Sequence, residues 1–252
     1  MTRCLLSDAV WEVLEGALHC SGAHLTKTTR TTVEAIFWRT RTGSPWRDLP
    51  TDFGPWQTVY NRFNRWSKAG RIGRIFEILK VGADGEWQCL DSSILKVHQH
   101  AAGARGKGEE AIGQSRGGAT TKLHALCDAS GNPTKFVVTA GQRSDCKVAP
   151  DLLAALEDGA DAVIADRAYD ATELRDLVKE RGAIPVIPFR SCTQEGRRAG
   201  YDRALYRLRH LIENLFCRLK HFRAVATRYD KTARNYLATV VFVGALLWAQ
   251  LG

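Results

Sequence analysis

The hydrophobic pattern of this sequence changes at about Gly85, and that change constrains the fold more than any other feature. Before it, apolar residues recur at helical spacing. After it, short apolar strands come first as a meander and then alternate with helices. Strands that alternate with helices indicate an α/β fold with a mixed sheet flanked by helices. We therefore predict a small all-helical domain over residues 1–82 and an α/β domain with C-terminal helices over residues 83–252.

Three helices are predicted in the first part, over about 7–19, 29–41 and 55–68. Pro55 suits the first position of the third helix, because that position needs no backbone N–H donor. Five of the seven tryptophans lie in the first 66 residues, which indicates that this part has a core of its own. The third helix carries an apolar stripe at helical spacing, made of Trp56, Val59, Tyr60, Phe63 and Trp66.

The second part has a regular order of strands and helices. Strands are predicted over Glu86–Val97, Thr120–Asp128, Pro133–Ala140, Ala162–Ala165 and Ile184–Pro188. Helices are predicted over 148–157, 171–181 and 205–222, and a loop over 101–118. The apolar stretch Leu237–Leu251 is too short to span a bilayer, so it predicts a buried C-terminal helix.

Charge is distributed unevenly along the chain. Residues 1–80 carry 12 Lys and Arg against 7 Asp and Glu, residues 81–189 carry 12 against 16, and residues 190–252 carry 12 against 4. An acidic middle between two basic arms suits a metal-dependent enzyme acting on nucleic acid, because carboxylates hold cations while Lys and Arg neutralise phosphates. The net charge of +9 alone is weaker evidence, since many basic proteins bind no polyanion.

The seven cysteines are scattered, with no C-x-x-C pair and no spacing typical of a zinc site. Such a set is typical of reduced thiols in a cytosolic protein. The first residues also lack the hydrophobic run of a signal peptide. We therefore expect a cytoplasmic protein with no membrane partner.

Three carboxylates occur where a charge is costly unless it is solvated or paired with a cation. Asp91 lies inside the first predicted strand, and Asp166 directly follows the apolar run Ala162–Ala165. Open α/β sheets place their ligands at such strand ends. Glu213 lies among apolar residues of the predicted helix 205–222. For any one acid a solvated strand end or helix surface is the simpler interpretation, but the three together favour a functional site.

Tyr206, Arg209, Glu213 and Lys220 form the pattern Y-x2-R-x3-E-x6-K. On one continuous helix they fall within roughly 60° of arc. Such a face suits a phosphodiester: Glu213 would bind metal, and Arg209 and Lys220 would hold phosphates. Tyr206 would contact a phosphate or stack on a base. The alternative is a solvated face with an Arg209–Glu213 pair, worth about a few tenths of a kcal/mol.

This helix pattern resembles the signature of bacterial insertion-sequence transposases of the DDE class, in the superfamily of insertion-sequence families four and five. The resemblance covers nearly the whole chain, with the motifs in order. One departure is Arg167-Ala168, where related proteins often have Lys-Gly, and neither side chain is expected to bind metal. The family-five branch is indicated by Gly-Ser-Pro-Trp-Arg-Asp-Leu-Pro (43–50), Ser-Arg-Gly-Gly (115–118) with Thr-Lys-Leu-His (121–124), and Ala-Asp-Arg-Ala-Tyr-Asp (165–170).

The resemblance implies an RNase H-like catalytic domain with Asp91, Asp166 and Glu213 as its catalytic, metal-binding acids. Two Mg²⁺ ions, with Mn²⁺ as a substitute, would flank a phosphate. Asp91 would be shared by both ions, with Asp166 completing one site and Glu213 the other. The implied partners are double-stranded DNA, as terminal inverted repeats and target DNA, and a second copy of the chain, because pairing two DNA ends needs two active sites. Such a protein would associate with the bacterial nucleoid.

The N-terminal part is predicted to be helix-turn-helix-like, with 55–68 as the candidate recognition helix. Arg62, Arg65 and Lys68 lie off its apolar stripe and are the predicted DNA contacts. The alternative is that this helix packs its aromatic stripe while the three cations face water.

Four further polar residues are given structural interpretations, with a supporting role at the active site as the alternative. His124 and Asp128 belong to the predicted hairpin. Asp145 is interpreted as a loop acid and Asp170 as a helix cap.

Three functions are compatible with these patterns. The first is an active DNA transposase, and the second is an RNase H-like nuclease that cuts DNA without joining it. The third is a sequence-specific DNA-binding repressor with an inactive catalytic domain. The complete set of three acids favours catalysis, because a binding protein has no use for converging carboxylates.

Overall fold

The computed structural model describes residues 6–102, 111–154, 160–190 and 200–251. They form two compact units. The first takes its residues from Met1–Gly82, Lys96–Glu110 and Leu219–Gly252, and the second from Ala83–Leu95 and Ala111–Arg218. The C-terminal residues from Leu219 onward therefore belong to the same compact unit as the N-terminal helices. The predicted boundary had assigned them to the α/β part. The division into domains 1–82 and 83–252 stays a prediction.

The elements follow one another along the chain as helices, then strands, then both. The described helices are α1 (Asp8–Cys20), α2 (Thr29–Thr42), α3 (Trp56–Lys68), α4 (Arg71–Leu79), α5 (Gln99–Ala102), α6 (Ala149–Leu153), α7 (Thr172–Glu180), α8 (Arg203–Arg207), α9 (His210–Lys220), α10 (Arg223–Ala226) and α11 (Ala233–Ala249). The described strands are β1 (Trp87–Val97), β2 (Gly113–Ser115), β3 (Gly118–Cys127), β4 (Pro133–Ala140), β5 (Ala162–Ala165), β6 (Ile184–Val186) and β7 (Thr227–Arg228).

The first unit is mainly helical, which confirms the predicted all-helical N-terminal region. Ser7 caps α1 by accepting a hydrogen bond from the backbone N–H of Val10 (3.3 Å). The aromatic stripe of α3 is partly buried, since Val59, Phe63 and Trp66 belong to the core. α11 packs against α1, α3 and α4 and is buried along most of its length, so the predicted buried C-terminal helix is confirmed. None of the described helices is both long and apolar enough to cross a membrane.

The second unit is built on a mixed sheet, as the alternating pattern predicts. β3 pairs antiparallel with β2 and β4, whereas β5 runs parallel between β1 and β6. The β3–β4 turn is stabilised by Asp128, which accepts hydrogen bonds from the backbone of Ser130 (3.0 Å) and Asn132 (2.7 Å). Fully buried side chains from β1, β3, β5, α6 and α7 form one core, including Leu90, Leu126, Leu152, Val163 and Val178.

The predicted helix 205–222 is instead two helices, α8 and α9, separated by Leu208 and Arg209. The backbone N–H groups of these two residues bond three residues back, to the carbonyls of Leu205 (2.9 Å) and Tyr206 (3.1 Å). Bonds to the third preceding residue tighten the chain into a turn rather than continue an α-helix. The four polar residues of the Y-R-E-K pattern therefore do not lie on one continuous helix.

In the described part of the predicted loop 101–118, Gly113–Ser115 form a short strand, β2, while Ala101 and Ala102 end α5 and Gly118 begins β3. Three residues are too few to show the alternation that identifies a strand in a sequence. Residues 103–110 of that loop, and residues 155–157 of the predicted helix 148–157, lie outside the described residues. The described part of that helix is α6, Ala149–Leu153.

Candidate active site

Asp91 and Asp166 lie side by side at the point where two adjacent parallel strands stop pairing. β1 and β5 pair up to Leu90 and Ala165; Asp91 is the next residue of β1, and Asp166 directly follows the last residue of β5. Neighbouring strands are about 4.8 Å apart, so the two carboxylates leave the sheet close together. Asp166 ends β5 because its Oδ1 accepts a hydrogen bond from the backbone N–H of Ala168 (2.8 Å), which turns the chain. The local sequence, a buried strand followed directly by an aspartate, is therefore enough to place Asp166 at the end of β5.

Asp91 is largely removed from solvent, with 17% of its side chain exposed. Its Oδ1 accepts a hydrogen bond from the backbone N–H of Ser92 (2.7 Å), and its Oδ2 accepts one from Arg209 Nη1 (2.9 Å). Burial raises the pKa of Asp91 to about 6, and the nearby carboxylates of Asp166 and Asp145 add to the rise. Ser92 and Arg209 act against it without cancelling it. The site therefore favours additional positive charge.

Arg209 joins Asp91 to Glu213. While Nη1 holds Asp91, Nη2 donates a hydrogen bond to Glu213 Oε1, and half of the glutamate side chain (53%) is exposed. Burial acts to lower the pKa of Arg209, but the carboxylates of Asp91 and Glu213 outweigh it, so the pKa is raised. The third predicted acid is therefore linked to the aspartate pair through one guanidinium group.

The donor atoms suit a divalent cation of the magnesium type, which prefers carboxylate oxygens and keeps several waters. Burial, with a smaller contribution from Asp166, raises the pKa of Asp91, so a bound cation would stabilise the charged form of Asp91. In the described part of the chain, no three His, Cys, Asp or Glu side chains are close enough together to enclose a metal ion. The two adjacent aspartates thus fit a cation. Glu213 is connected to them through the guanidinium group of Arg209.

Asp145 connects Ser92, next to Asp91, with β3. Its Oδ1 accepts hydrogen bonds from Ser92 Oγ (2.8 Å) and from Lys122 Nζ (3.2 Å), and it lies 3.5 Å from His124 Nδ1. Lys122 Nζ also donates to the carbonyl of Arg143 (2.8 Å). Asp145 was interpreted as a loop acid, with a supporting role at the active site as the alternative, and its partners in this network were not predicted. The members lie up to 53 positions apart, and no local pattern links them.

His124 and Tyr169 are buried close to Asp145 and take part in the electrostatics of the site. Burial lowers the pKa of His124 to about 4, against an opposing effect of Asp145, so the ring is neutral at pH 7. Its Nε2 lies 2.9 Å from Thr139 Oγ1. Burial, together with the carboxylates of Asp145 and Asp91, raises the pKa of Tyr169, so its phenol stays protonated.

Asp128 and Asp170 make structural contacts. Asp128 accepts backbone hydrogen bonds in the β3–β4 turn and one from Asp84 (3.3 Å). Asp170 is not the cap of α7, because Ala171 occupies the N-cap position. Instead its Oδ1 binds Arg175 (2.8 Å) and its Oδ2 accepts the backbone N–H of Arg190 (2.7 Å). Fixing the loop before α7 explains an acid at this position better than capping does.

Tyr206 and Lys220 lie on either side of the Arg209–Glu213 pair along the chain. Tyr206 is half-buried on α8, with its ring centroid 5.1 Å from that of Tyr201. Lys220 is the exposed last residue of α9, two turns beyond Glu213. The role of both residues as phosphate or base contacts stays a prediction.

The cations of α3 differ from one another in their surroundings. Arg62 is half-buried and donates to Thr32 Oγ1 and Thr26 Oγ1, both at 3.1 Å. Burial, followed by the nearby charge of Arg65, lowers the pKa of Arg62. Arg65 and Lys68 are exposed.

Arg62 and Arg65 also line a cavity of about 360 Å³ within the first unit. The other side chains lining it are those of His24, Trp66 and Arg71. The Nε atom of Arg71 is buried and has no hydrogen-bond partner among the described residues. None of the described side chains that line this cavity is acidic, so three guanidinium groups converge there. Arg71 was missed because it lies on the next helix, outside the predicted recognition helix.

Two family models match this chain over most of its length. Residues 83–248 match the model described as a transposase DDE domain, and residues 6–76 match the model of a putative transposase of the IS4/5 family. The chain belongs to the DDE transposases. Membership confirms the resemblance to insertion-sequence transposases and the RNase H-like α/β class predicted for the second part of the chain.

Two curated relatives of this DDE transposase carry insertion-sequence names. A putative transposase for the element IS6501 of Brucella ovis is 40% identical over 135 residues, which cover 52% of this chain and 99% of the relative. A putative transposase for the element IS402 of Burkholderia cepacia is 27% identical over 123 residues, covering 45% of this chain and 55% of the relative.

Solved transposase structures are more distant. A piggyBac transposase synaptic complex with hairpin DNA is 10% identical with a TM-score of 0.41, over 76% of this chain and 50% of that chain. A Mos1 mariner paired-end complex with Mn is 12% identical with a TM-score of 0.28, over 85% of this chain and 93% of that chain.

Proposed function

We propose that this DDE transposase binds the ends of its insertion element, cuts the DNA there and joins the element to target DNA. The observation that carries the proposal is the cluster formed by Asp91, Asp166 and Glu213 around Arg209. The two aspartates are adjacent and half-buried, and burial raises the pKa of Asp91, so a bound cation would stabilise its charged form. A purely structural role would not require two half-buried carboxylates side by side.

Asp91, Asp166 and Glu213 are the proposed metal-binding residues, with Mg²⁺ as the metal and Mn²⁺ as a substitute. Two bound ions would activate an attacking water or 3′-hydroxyl and stabilise the leaving oxygen of the phosphodiester. Asp91 is the proposed shared ligand because Arg209 links it to Glu213 and because it lies next to Asp166. Asp145 positions Asp91 indirectly, since Ser92 binds both carboxylates.

Arg209 is proposed to exchange its carboxylate contacts for a DNA phosphate. In this structure it neutralises part of the charge of Asp91 and Glu213. The parallel N–H donors of its guanidinium group bind a phosphate as well as they bind a carboxylate. Tyr206 and Lys220 are proposed to contact the same DNA strand, as a base or phosphate contact and a phosphate contact respectively.

The helical N-terminal part, residues 1–82, is proposed to bind double-stranded DNA at the terminal inverted repeats. Arg62, Arg65 and Arg71 converge on one cavity without an acidic neighbour in its described lining, which suits a phosphate. Lys68 follows on the same helix and is exposed. We further propose that two copies act together on DNA, because joining an element requires both of its ends. A bacterial cytoplasmic location at the nucleoid follows from this substrate.

One assay tests this function against its alternatives. Purified protein is incubated with Mg²⁺, target DNA and duplexes carrying the two element ends, which the sequence flanking the gene supplies. The proposal expects cut ends and joined products, both lost when EDTA removes the metal. Cut ends without joined products would instead indicate a nuclease. A mobility shift without cutting would indicate a DNA-binding repressor, and either result would contradict the proposal.

A further inference from the structure

A second cavity in the first unit has no part in the reaction proposed above. It encloses about 530 Å³, within the range of roughly 300–1,000 Å³ that small-molecule sites occupy. We call it the aromatic pocket, because its described lining includes the side chains of Trp46, Trp56, Tyr60 and Tyr229. Trp56 and Tyr60 belong to the apolar stripe of α3 but are only half-buried, unlike Val59 and Phe63 of the same stripe. Part of the stripe therefore faces the pocket instead of the core.

The rings of Trp46, Tyr60 and Tyr229 are held in place by packing against neighbouring groups, and the Arg47 guanidinium lies 5.8 Å from the ring of Trp56. The ring of Trp46 lies 5.6 Å from that of Tyr60 and 5.3 Å from that of buried Phe63. The guanidinium of Arg39 lies 4.9 Å from the Trp46 ring, and the ring of Tyr229 lies 4.7 Å from that of His98. Rings fixed in advance lose little conformational entropy when another planar group stacks on them.

The charges of the pocket favour an anionic ligand. Arg47 and Lys231 line it and are exposed. Among its described lining residues the one acid is Asp230, which is 7% exposed and is bound by both Nη atoms of Arg39, at 3.1 and 3.3 Å. Aromatic cages also bind cations such as methylated lysine. Two exposed cations and a neutralised acid act against such a ligand here.

We propose that the aromatic pocket binds one unpaired nucleotide of single-stranded DNA. The base stacks on the pocket aromatics while Arg47 and Lys231 contact the adjoining phosphates. Aromatic platforms beside cationic side chains are the usual means of holding single-stranded nucleic acid, since every base has a face that stacks. A base inside a duplex is already stacked and paired, so the pocket distinguishes unpaired from paired DNA. This inference rests on the proposed function, which makes DNA the partner.

The test compares a twelve-nucleotide single strand with the blunt duplex of the same sequence, by fluorescence anisotropy with the full chain. Trp56→Ala should weaken binding of the single strand about ten-fold or more, because it removes one stacking surface. Trp56→Phe should restore most of that loss. Both variants should bind the duplex within about two-fold of the wild type, which also shows that they are folded.

A charge variant tests the phosphate contacts. Arg47→Gln should lower the slope of log affinity against log salt for the single strand by about 0.7. Arg74→Gln, which removes an exposed arginine from outside the pocket lining, should leave that slope unchanged. Equal slopes for both variants would overturn the phosphate assignment.

A cross-link keeps the proposal falsifiable if Trp56→Ala fails to fold. A single strand carrying one 5-iododeoxyuridine, irradiated with the wild-type protein, should cross-link to Trp46, Trp56, Tyr60 or Tyr229. Cross-links confined to other residues would overturn the proposal, as would binding of a trimethyl-lysine peptide at the pocket in place of DNA.

The outcomes separate this inference from the proposed function. Equal losses for single strand and duplex in Trp56→Ala, with joining of element ends intact in the wild type, overturn the pocket alone. A wild-type protein that binds neither DNA form overturns the proposed function and the pocket together.

Discussion

His124 is a buried ionisable residue and Asp91 a half-buried one, and burial moves their pKa values in opposite directions. Burial disfavours the charged form, so the pKa of His124 falls to about 4 while that of Asp91 rises to about 6. The two shifts have opposite effects on stability. Between about pH 4 and 6, acidification destabilises the fold through His124 and stabilises it through Asp91. Only a variant that removes one of the two groups separates these contributions.

His124→Gln should make the free energy of unfolding less dependent on pH. In the folded state the pKa of His124 lies below its unfolded value of about 6.5, so its contribution to stability is present above pH 6.5 and is lost as pH falls towards 4. Urea unfolding at pH 7 and pH 5 measures the loss. We expect the variant to lose about 2 kcal/mol less than the wild type between these two pH values, since Asp91 is common to both proteins. An identical loss in both proteins would show that His124 is not held neutral.

Arg209→Ala should weaken binding to element-end DNA and lower the slope of log affinity against log salt by about 0.9, the value for one phosphate contact on duplex DNA. Arg209 binds the carboxylates of Asp91 and Glu213 in this structure. The expected change in slope therefore requires that Arg209 leave these carboxylates and bind a DNA phosphate. Arg207→Ala provides the control, because Arg207 is exposed on α8 and, in the described part of the chain, forms no ion pair with Asp91 or Glu213. A slope unchanged in Arg209→Ala would remove Arg209 from the phosphate contacts.

At the scale of elements, local sequence signals predicted the ends of helices and strands well where one residue decides the ending. Ser7 begins α1, and β5 ends where Asp166 begins the next turn, because each side chain bonds to backbone within three residues. The break between α8 and α9 was not predicted, since Leu208 and Arg209 are both good helix formers. Arg209 contacts Asp91, which lies 118 positions away in the sequence. Helical periodicity predicts which residues share a helix face, so it could not predict this contact.

Gly43 ends α2 and offers a test at this scale. Its φ of +72° is unfavourable for other residues, and a Cβ there would lie 2.9 Å from the Cβ of Arg223 on α10. Gly70 has a similar φ of +66°, but a Cβ there would meet nothing within 4 Å. Both Gly→Ala variants should lose about 1–2 kcal/mol through backbone strain. Gly43→Ala should lose about 1–3 kcal/mol more through overpacking against Arg223.

Urea unfolding of the two glycine variants measures this difference directly. The excess loss in Gly43→Ala reports the close approach of α2 and α10 within the first unit. Equal losses in the two variants would mean that the backbone of α10 yields to the added methyl group without cost.

At the scale of the whole molecule, the order of elements and the uneven charge were accessible from the sequence, whereas the networks were not. The acidic middle of the chain supplies Asp91 and Asp166, and the basic C-terminal part supplies Arg209 beside Glu213. The partners of Asp145 and the aromatic pocket were not predicted, because both are assembled from segments distant in the sequence. Folding brings such residues together through the packing of the core, which composition and periodicity describe only in outline.

The central claim is that Asp91, Asp166 and Glu213 together carry metal-dependent DNA cutting and joining. The most direct measurement is the yield of cut and joined element ends in Mg²⁺ for Asp91→Asn, Asp166→Asn and Glu213→Gln, with Asp161→Asn as an exposed-acid control beside β5. We predict that each of the three variants falls to the level of the reaction without metal while still binding element ends, and that the control keeps wild-type activity. Undiminished cutting in any one of the three variants would contradict the assignment of that acid to the active site.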